Sequence, residues 1–190
     1  MRSLLASIAT GPLAWLLAGA QVAATTTLLL TKVPMANVAM SRERVVDEGK
    51  FWSIVVSPFV HTDFFILVFN VVLTVTCSNL ESRLGHFEFA RSVLCLVVVP
   101  AIIHLVVMGW LSGLPIDGLR PYFRSHSSSG FTPVICGWLA TVSARAPTSG
   151  SILSMERLPL LIAPAGVLVL SQIMSPNTSL LSNSIGILTG

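Results

Sequence analysis

A serine that could act as a nucleophile stands in this sequence without a base to activate it. Ser129 and Gly130 open an apolar segment, and no histidine follows them as far as Gly190. A serine hydroxyl is a weak nucleophile unless a neighbouring group accepts its proton. The final segment, where such a group would be needed, reads Asn-Ser-Ile-Gly-Ile-Leu-Thr-Gly over residues 183–190. The residue types suit attack by a serine hydroxyl, but the proton acceptor is missing.

Two histidines keep other interpretations of this chemistry open. His126 precedes Ser129 by three residues, and residues at that spacing face each other on a helix, so His126 is a candidate substitute base. Its place in a polar loop argues against that role. His104 lies within an apolar stretch, where we expect a neutral imidazole that bonds to another span. Without a base, we expect Ser129 to cap and pack a helix start.

The composition places the chain in a membrane. Of its residues, 53% are hydrophobic and 10% are charged, whereas soluble domains carry roughly 25% charged residues. The net charge of +3 is spread along the loops, and no basic cluster indicates nucleic acid. Cys77, Cys95 and Cys136 lack CxxC spacing, so we expect buried packing residues rather than disulfides or metal ligands. We expect no metal and no cofactor.

Uncharged runs predict six membrane spans. A helix needs about 20 residues to cross the bilayer core, and the predicted spans cover residues 12–31, 64–80, 92–116, 127–144, 158–174 and 177–190. The first run also resembles a signal peptide cleaved near residue 24, but it continues beyond its small residues, so we favour an uncleaved span. The last run would form about 21 Å of helix. It is therefore either an incomplete helix or part of a longer protein.

The long connection over residues 32–62 differs from the spans because it is charged and aromatic. This pattern predicts an amphipathic stretch at the membrane surface, with Trp52 at headgroup depth. With alternating spans, five basic residues lie on the amino-terminal side and six on the other, so charge does not decide the orientation. No span carries paired charges or a charged stripe, which argues against a transporter or channel.

Several motifs together resemble the rhomboid superfamily over residues 50–190. They are Phe59-Val60-His61 before the second span, Asn70 within it, Leu80-Glu81-Ser82-Arg83-Leu84-Gly85 after it, Ser129-Gly130 at the start of the fourth span, and Gly137. The resemblance implies a single domain over residues 1–190. Its fold would be an all-α membrane protein, a six-transmembrane-helix rhomboid-like bundle with a short last helix.

The resemblance implies that half of the oxyanion site is lost. Active rhomboids carry His-x4-His-x3-Asn in the second span, where the middle histidine and the asparagine stabilise the oxyanion. Here His61 and Asn70 are present, but Ile66 replaces that histidine. Isoleucine donates no hydrogen bond, and loss of one such donor slows catalysis by about 10²–10³. We expect Asn70 to hydrogen-bond across helices instead.

The resemblance also implies that the base is lost. Active members carry His-x2-Gly-x3-Gly in the last span, and Gly186 and Gly190 match these glycines, which places neutral Asn183 at the base. In the Gly-x-Ser-Gly motif of active members, Ser127 replaces the first glycine. We therefore expect no catalytic residue, and we regard Ser129, Asn70 and Asn183 as vestigial positions.

Other motif residues are assigned structural roles. We expect Glu81, Arg83 and Gly85 to fix the loop after the second span and to help position the first connection. Small residues let helix backbones approach closely in lipid. On that basis, spans four and six are expected to pack backbone to backbone through Gly130, Gly137, Gly186 and Gly190.

The departures resemble a pseudoprotease branch, the type of ubiquitin-associated domain-containing protein 2 of the endoplasmic reticulum. The resembling segment is Ser129-Gly130-Phe131-Thr132-Pro133-Val134. It implies an inactive multi-pass protein whose partners are the lipid bilayer, transmembrane clients or the ubiquitin and degradation machinery. Clients would meet a partly polar surface around Asn70, Ser129 and Asn183. We expect no ubiquitin-associated domain within residues 1–190. The alternative is an active rhomboid intramembrane serine protease using Ser129.

Overall fold

The chain folds mainly into helices that pack side by side. The computed structural model describes residues 11–115, 120–145, 158–175 and 179–190. The helices in these ranges are α1 (Pro12–Thr31), α2 (Trp52–Val56), α3 (Phe64–Thr76), α4 (Ser78–Leu84), α5 (His86–Gly113), α6 (Arg120–Ser125), α7 (Thr132–Arg145), α8 (Leu158–Met174) and α9 (Leu180–Thr189). Two short strands, β1 (Met40–Ser41) and β2 (Ser127–Ser128), pair antiparallel.

Three helical stretches are long and apolar enough to cross a bilayer. They are Pro12–Thr31, Phe64–Leu84 and His86–Gly113. Shorter apolar helices cover Thr132–Ala144, Ile162–Met174 and Leu180–Thr189, each inside one of the three remaining predicted spans. The prediction of an all-α membrane bundle is confirmed. The first helix runs unbroken past residue 24, whereas residues 1–10 lie outside the described part of the chain.

Three predicted helix starts are wrong. Helix α9 begins at Leu180 rather than residue 177, with Ser179 as its N-cap. Helix α5 begins at His86 rather than residue 92, directly after Gly85, which adopts a φ of +85° and ends α4. Helix α7 begins at Thr132 rather than residue 127. The preceding residues pair in β2, and Gly130 adopts a φ of +97°, a conformation that interrupts a right-handed helix.

Glu81 caps the first helix, which the sequence did not predict. Its carboxylate accepts hydrogen bonds from the backbone N–H groups of Leu13, at 3.1 Å, and Ala14, at 2.8 Å. The first N–H groups of a helix have no partner within the helix, and a negative charge there is favourable. The side chain is fully buried and also contacts His86 Nδ1 at 2.6 Å. Glu81 therefore fastens the second span to the start of the first span, not to the first connection.

Glycines allow α7 and α9 to touch through their backbones. A Cβ atom on Gly186 would overlap the Pro133 carbonyl, and one on Gly190 would overlap the Gly137 backbone. Small residues permit this approach. Gly130 takes no part in it, because it precedes α7 and a Cβ there would instead lie 3.5 Å from the His61 ring.

The aromatic core joins α5 to α7. The Phe89 and Trp138 rings stack with centroids 5.0 Å apart, and Phe131 meets Trp138 edge-on at 5.7 Å. All three side chains are buried. This core holds the start of α7, and with it the segment that carries Ser129, against the long third span.

The first connection folds over that segment. It contains helical turns at Met35–Asn37, Glu43–Asp47 and Ser57–Phe59 around α2. Its strand β1 pairs with β2, so that Met40 faces Ser128. Trp52 is 48% exposed, as suits the predicted position at the membrane surface.

Candidate active site around Ser129

A tight turn between β2 and α7 positions Ser129. On one side, Ser128 is held by its pairing with Met40. On the other side, the Gly130 N–H donates to the Ser57 carbonyl oxygen at 2.9 Å. The positive φ of Gly130 favours glycine at this point. Ser129 itself is half-buried, and its side chain makes no hydrogen bond with any residue in the described ranges. It does not cap α7, which begins three residues later.

The space in front of Ser129 is small. The cavity it lines has a volume of about 20 Å³, and its other hydroxyl groups belong to Ser57, Ser128 and Ser182. A cavity of roughly 10–15 Å³ holds one water molecule. The cavity can therefore accept a water molecule but not an extended peptide.

Asn183, at the position of the expected base, is turned to another helix. Its Nδ2 donates to Ser171 Oγ on α8 at 3.2 Å, and the side chain is buried. The preceding residue, Ser182, is the one on α9 that lines the cavity with Ser129. A neutral amide does not accept a proton from serine, so α9 supplies no base.

Asn70 is also occupied by packing contacts. Its Nδ2 donates to the Ile66 carbonyl at 2.8 Å, and its Oδ1 accepts from Thr132 Oγ1 at 3.1 Å. Asn70 is fully buried, and Ile66 is 2% exposed. Asn70 thus joins α3 to the start of α7, and Ile66 fills its position with hydrocarbon.

His61 braces the backbone next to the serine turn. Its ring Nε2 accepts from the Phe131 N–H at 3.3 Å, and its backbone N–H donates to Thr25 Oγ1 at 3.2 Å. Burial lowers the pKa of His61 to about 4, and the buried Nδ1 has no hydrogen-bond partner in the described chain. The imidazole is therefore neutral at pH 7 and uses its acceptor nitrogen on Phe131.

His126, the candidate substitute base, contacts other residues and not Ser129. His126 Nε2 lies 3.3 Å from Ser179 Oγ, at the start of α9. Its ring also contacts Tyr122 and stacks on His104, with centroids 5.3 and 5.9 Å apart. Burial lowers the pKa of His126. His104 is fully buried, and neither of its ring nitrogens has a hydrogen-bond partner in the described chain, so the expected bond to another span is not found.

The expected polar client surface is not exposed. Asn70 and Asn183 are at most 2% exposed, and their polar atoms join helices. Ser129 is half-buried and lines the small cavity. The partners Thr132 and Ser171 were missed from sequence, because no pattern distinguishes them from other hydroxyl residues in apolar helices. Within the described ranges no three metal-ligating side chains come together.

A known protein family matches most of the chain. The family model of the Rhomboid domain matches residues 48–190. This range includes Ser129, Asn183, Asn70 and His61, whereas Met40 and Thr25 lie outside it. No curated protein and no solved structure matches the chain.

Proposed function

The chain belongs to the rhomboid family, and we propose that it is an inactive member, a pseudoprotease that binds other membrane proteins. The observation that carries this proposal is that the Ser129 hydroxyl makes no hydrogen bond to a base in the described ranges. His61, whose ring lies beside Gly130, accepts from the Phe131 N–H instead. Asn183 bonds to Ser171, and the nearest histidine in sequence, His126, bonds to Ser179. Without a base, a serine hydroxyl does not attack a peptide bond at a useful rate.

Two further features support the same proposal. The oxyanion site has hydrocarbon at Ile66, and the amide of Asn70 is engaged by Ile66 and Thr132. The cavity of about 20 Å³ beside Ser129 leaves no room for a substrate strand. Chemistry and fold are separable in such families, because function depends on the site and not on the scaffold.

A fluorophosphonate probe tests the absence of catalysis. We expect the folded chain in detergent to remain unlabelled at Ser129, while an active rhomboid protease in the same detergent is labelled. Ser129→Ala is the matched variant. We expect its free energy of unfolding to equal that of the wild-type chain, because the hydroxyl bonds to no described residue. Labelling that disappears in Ser129→Ala would instead establish an active serine protease.

We place the client-binding surface in an apolar groove between α1 and α5. The groove has a volume of about 420 Å³, and Val55 and Phe59 of the first connection are among the residues that line it. Its walls include Leu16 and Ala20 of α1 and Val93 of α5. In lipid, helices associate mainly by close packing, and a groove of this shape suits one face of a client span.

Co-purification from membranes tests client binding. We expect the tagged chain to enrich membrane proteins or degradation machinery over a control carrying one unrelated span. Ala20→Trp fills the groove and should reduce that enrichment, whereas Ala23→Trp, which lies on the same helix outside this groove, should not. Equal enrichment by both variants and by the control span would refute the client-binding role.

We further propose that the protein acts in the endoplasmic reticulum, in retention or quality control, as the branch of ubiquitin-associated domain-containing protein 2 does. This part of the proposal depends on the similarity of residues 129–134 to that branch. Imaging of the tagged chain with an endoplasmic reticulum marker tests it. Localisation to another membrane would separate the chain from that branch while leaving the client-binding test unaffected.

A further inference from the structure

A second groove lies where the end of the second span meets α7. It has a volume of about 270 Å³. Leu80 of α4 and three residues of α7, Trp138, Leu139 and Val142, form its apolar lining. Asn79 and Arg83 of α4 also line it. The groove is separate from the Ser129 cavity and from the groove between α1 and α5.

The groove is polar at its outer end and apolar further in. Arg83 lies in the last turn of α4, and Asn79 is four residues earlier, so both side chains lie on one face of the helix. The first connection, which precedes the second span, pairs through β1 with β2, which precedes α7. The second span and α7 therefore start on the same side of the bundle, and we infer that the ends of α4 and α7 reach the same membrane surface. Arg83 therefore lies near the headgroups, and Trp138, earlier in α7, lies deeper.

The charge of Arg83 is uncompensated within the described chain. Two of the other described arginines pair with carboxylates: Arg91 Nη2 lies 2.6 Å from Glu88, and Arg124 Nη2 lies 2.9 Å from Asp47. Arg83 is exposed and has no such partner among the described residues. A guanidinium remains protonated at every physiological pH and binds phosphate oxygens through a fork of donors.

We propose that this groove binds a glycerophospholipid with an anionic headgroup. The Arg83 guanidinium and the Asn79 amide donate to the phosphate oxygens, and an acyl chain lies along Leu80, Leu139 and Val142. Charge complementarity favours a lipid over a protein span as the occupant. A span would cover the apolar lining but would leave the guanidinium without an anion. Basic residues beside membrane helices are the usual determinants of anionic lipid binding.

Native mass spectrometry of the purified chain tests this proposal. The chain is titrated with phosphatidic acid and, separately, with phosphatidylcholine of the same acyl chains. We expect tighter binding of phosphatidic acid, and Arg83→Gln should weaken it about fivefold, the effect of one basic residue near a membrane surface. Arg91→Gln removes a charge that is already paired and should change the affinity less than about twofold.

Further variants separate this site from general attraction to charge. Val142→Trp fills the groove without changing charge and should weaken phosphatidic acid binding, whereas Val72→Trp, on an exposed face of α3, should not. Glycerol phosphate, which has the anion but no acyl chain, should not compete. Equal effects of Arg83→Gln and Arg91→Gln, equal binding of both lipids, or competition by glycerol phosphate would overturn the proposal.

Discussion

Asn70 and Asn183 each join two helices by a hydrogen bond. Asn70 reaches Thr132, and Asn183 reaches Ser171, each through a buried side chain. A polar group within a bilayer is costly unless another part of the protein satisfies it. These two side chains therefore lower the free energy of the fold by bonding to neighbouring helices, Asn70 to α7 and Asn183 to α8. The same contacts remove them from Ser129.

His61 predicts a pH dependence of stability. Its pKa is lowered to about 4 in the folded chain, whereas a free imidazole titrates near pH 6.5. Between these values the unfolded chain binds more protons than the folded chain, so unfolding becomes easier as the pH falls. We expect the wild-type chain to lose about 2 kcal/mol of unfolding free energy between pH 7.5 and pH 5.0 through this residue.

The variant His61→Gln isolates that contribution. Its amide oxygen can still accept from the Phe131 N–H, but the side chain does not titrate. Unfolding by sodium dodecyl sulfate in mixed micelles at the two pH values gives the measurement. Other groups titrate alike in both chains, so the pH-dependent loss should be about 2 kcal/mol smaller in the variant. Equal losses would mean that His61 is not held neutral by burial.

At the scale of elements, the cap on α1 is the contact with the clearest energetic consequence. Glu81→Ala leaves the N–H groups of Leu13 and Ala14 without their acceptor. A buried donor without a partner costs about 1–3 kcal/mol. We therefore expect the variant to lose about 3 kcal/mol in the same unfolding measurement.

Glu88→Ala is the matched control for that variant. Glu88 is also an acidic residue near the start of α5, but it pairs with Arg91 at the surface. Exposed ion pairs contribute less than about 1 kcal/mol, so this variant should unfold close to the wild-type chain. Similar losses of unfolding free energy in both variants would show that acidic charge at this membrane surface, and not the cap on α1, stabilises the fold.

How well these elements can be predicted depends on how far apart along the chain the contacting residues are. Long uncharged runs predicted α1 and α8 at their observed bounds, because hydropathy is a property of consecutive residues. The start of α7 was not predicted, because it depends on strand β1 and on the bond from Gly130 to Ser57. Glu81 was assigned to the wrong partner for the same reason, since its acceptor bond to Leu13 joins residues 68 positions apart.

The site shows the same division. Composition and spacing predicted that Ser129 lacks a base on the last span, because the absence of histidine can be read directly. The new partners of Asn70 and Asn183 could not be read, since serine and threonine occur throughout the apolar helices. The crossing angle between the helices decides which hydroxyl group bonds to an amide. That angle cannot be derived from residue types and their spacing.

At the scale of the whole molecule, the first connection and the segment before α7 are joined on one side of the bundle. Strand β1 pairs with β2, and Asp47 pairs with Arg124. Ser82, by contrast, lies in α4, at the end of the next crossing stretch. Glu48 lies in the first connection, before Phe64–Leu84. If Pro12–Thr31 and Phe64–Leu84 both cross the bilayer, Glu48 and Ser82 must lie on opposite sides of it.

Cysteine labelling in sealed vesicles tests that arrangement without requiring the absolute orientation, which five against six basic residues leave undecided. Cys77, Cys95 and Cys136 are replaced by alanine, and Glu48→Cys and Ser82→Cys are made singly. A membrane-impermeant maleimide should label one of the two variants in intact vesicles and both after detergent is added. Labelling of both variants in intact vesicles would contradict the crossing of Phe64–Leu84. Residue 48, before that stretch, and residue 82, at its end, would then share one aqueous compartment.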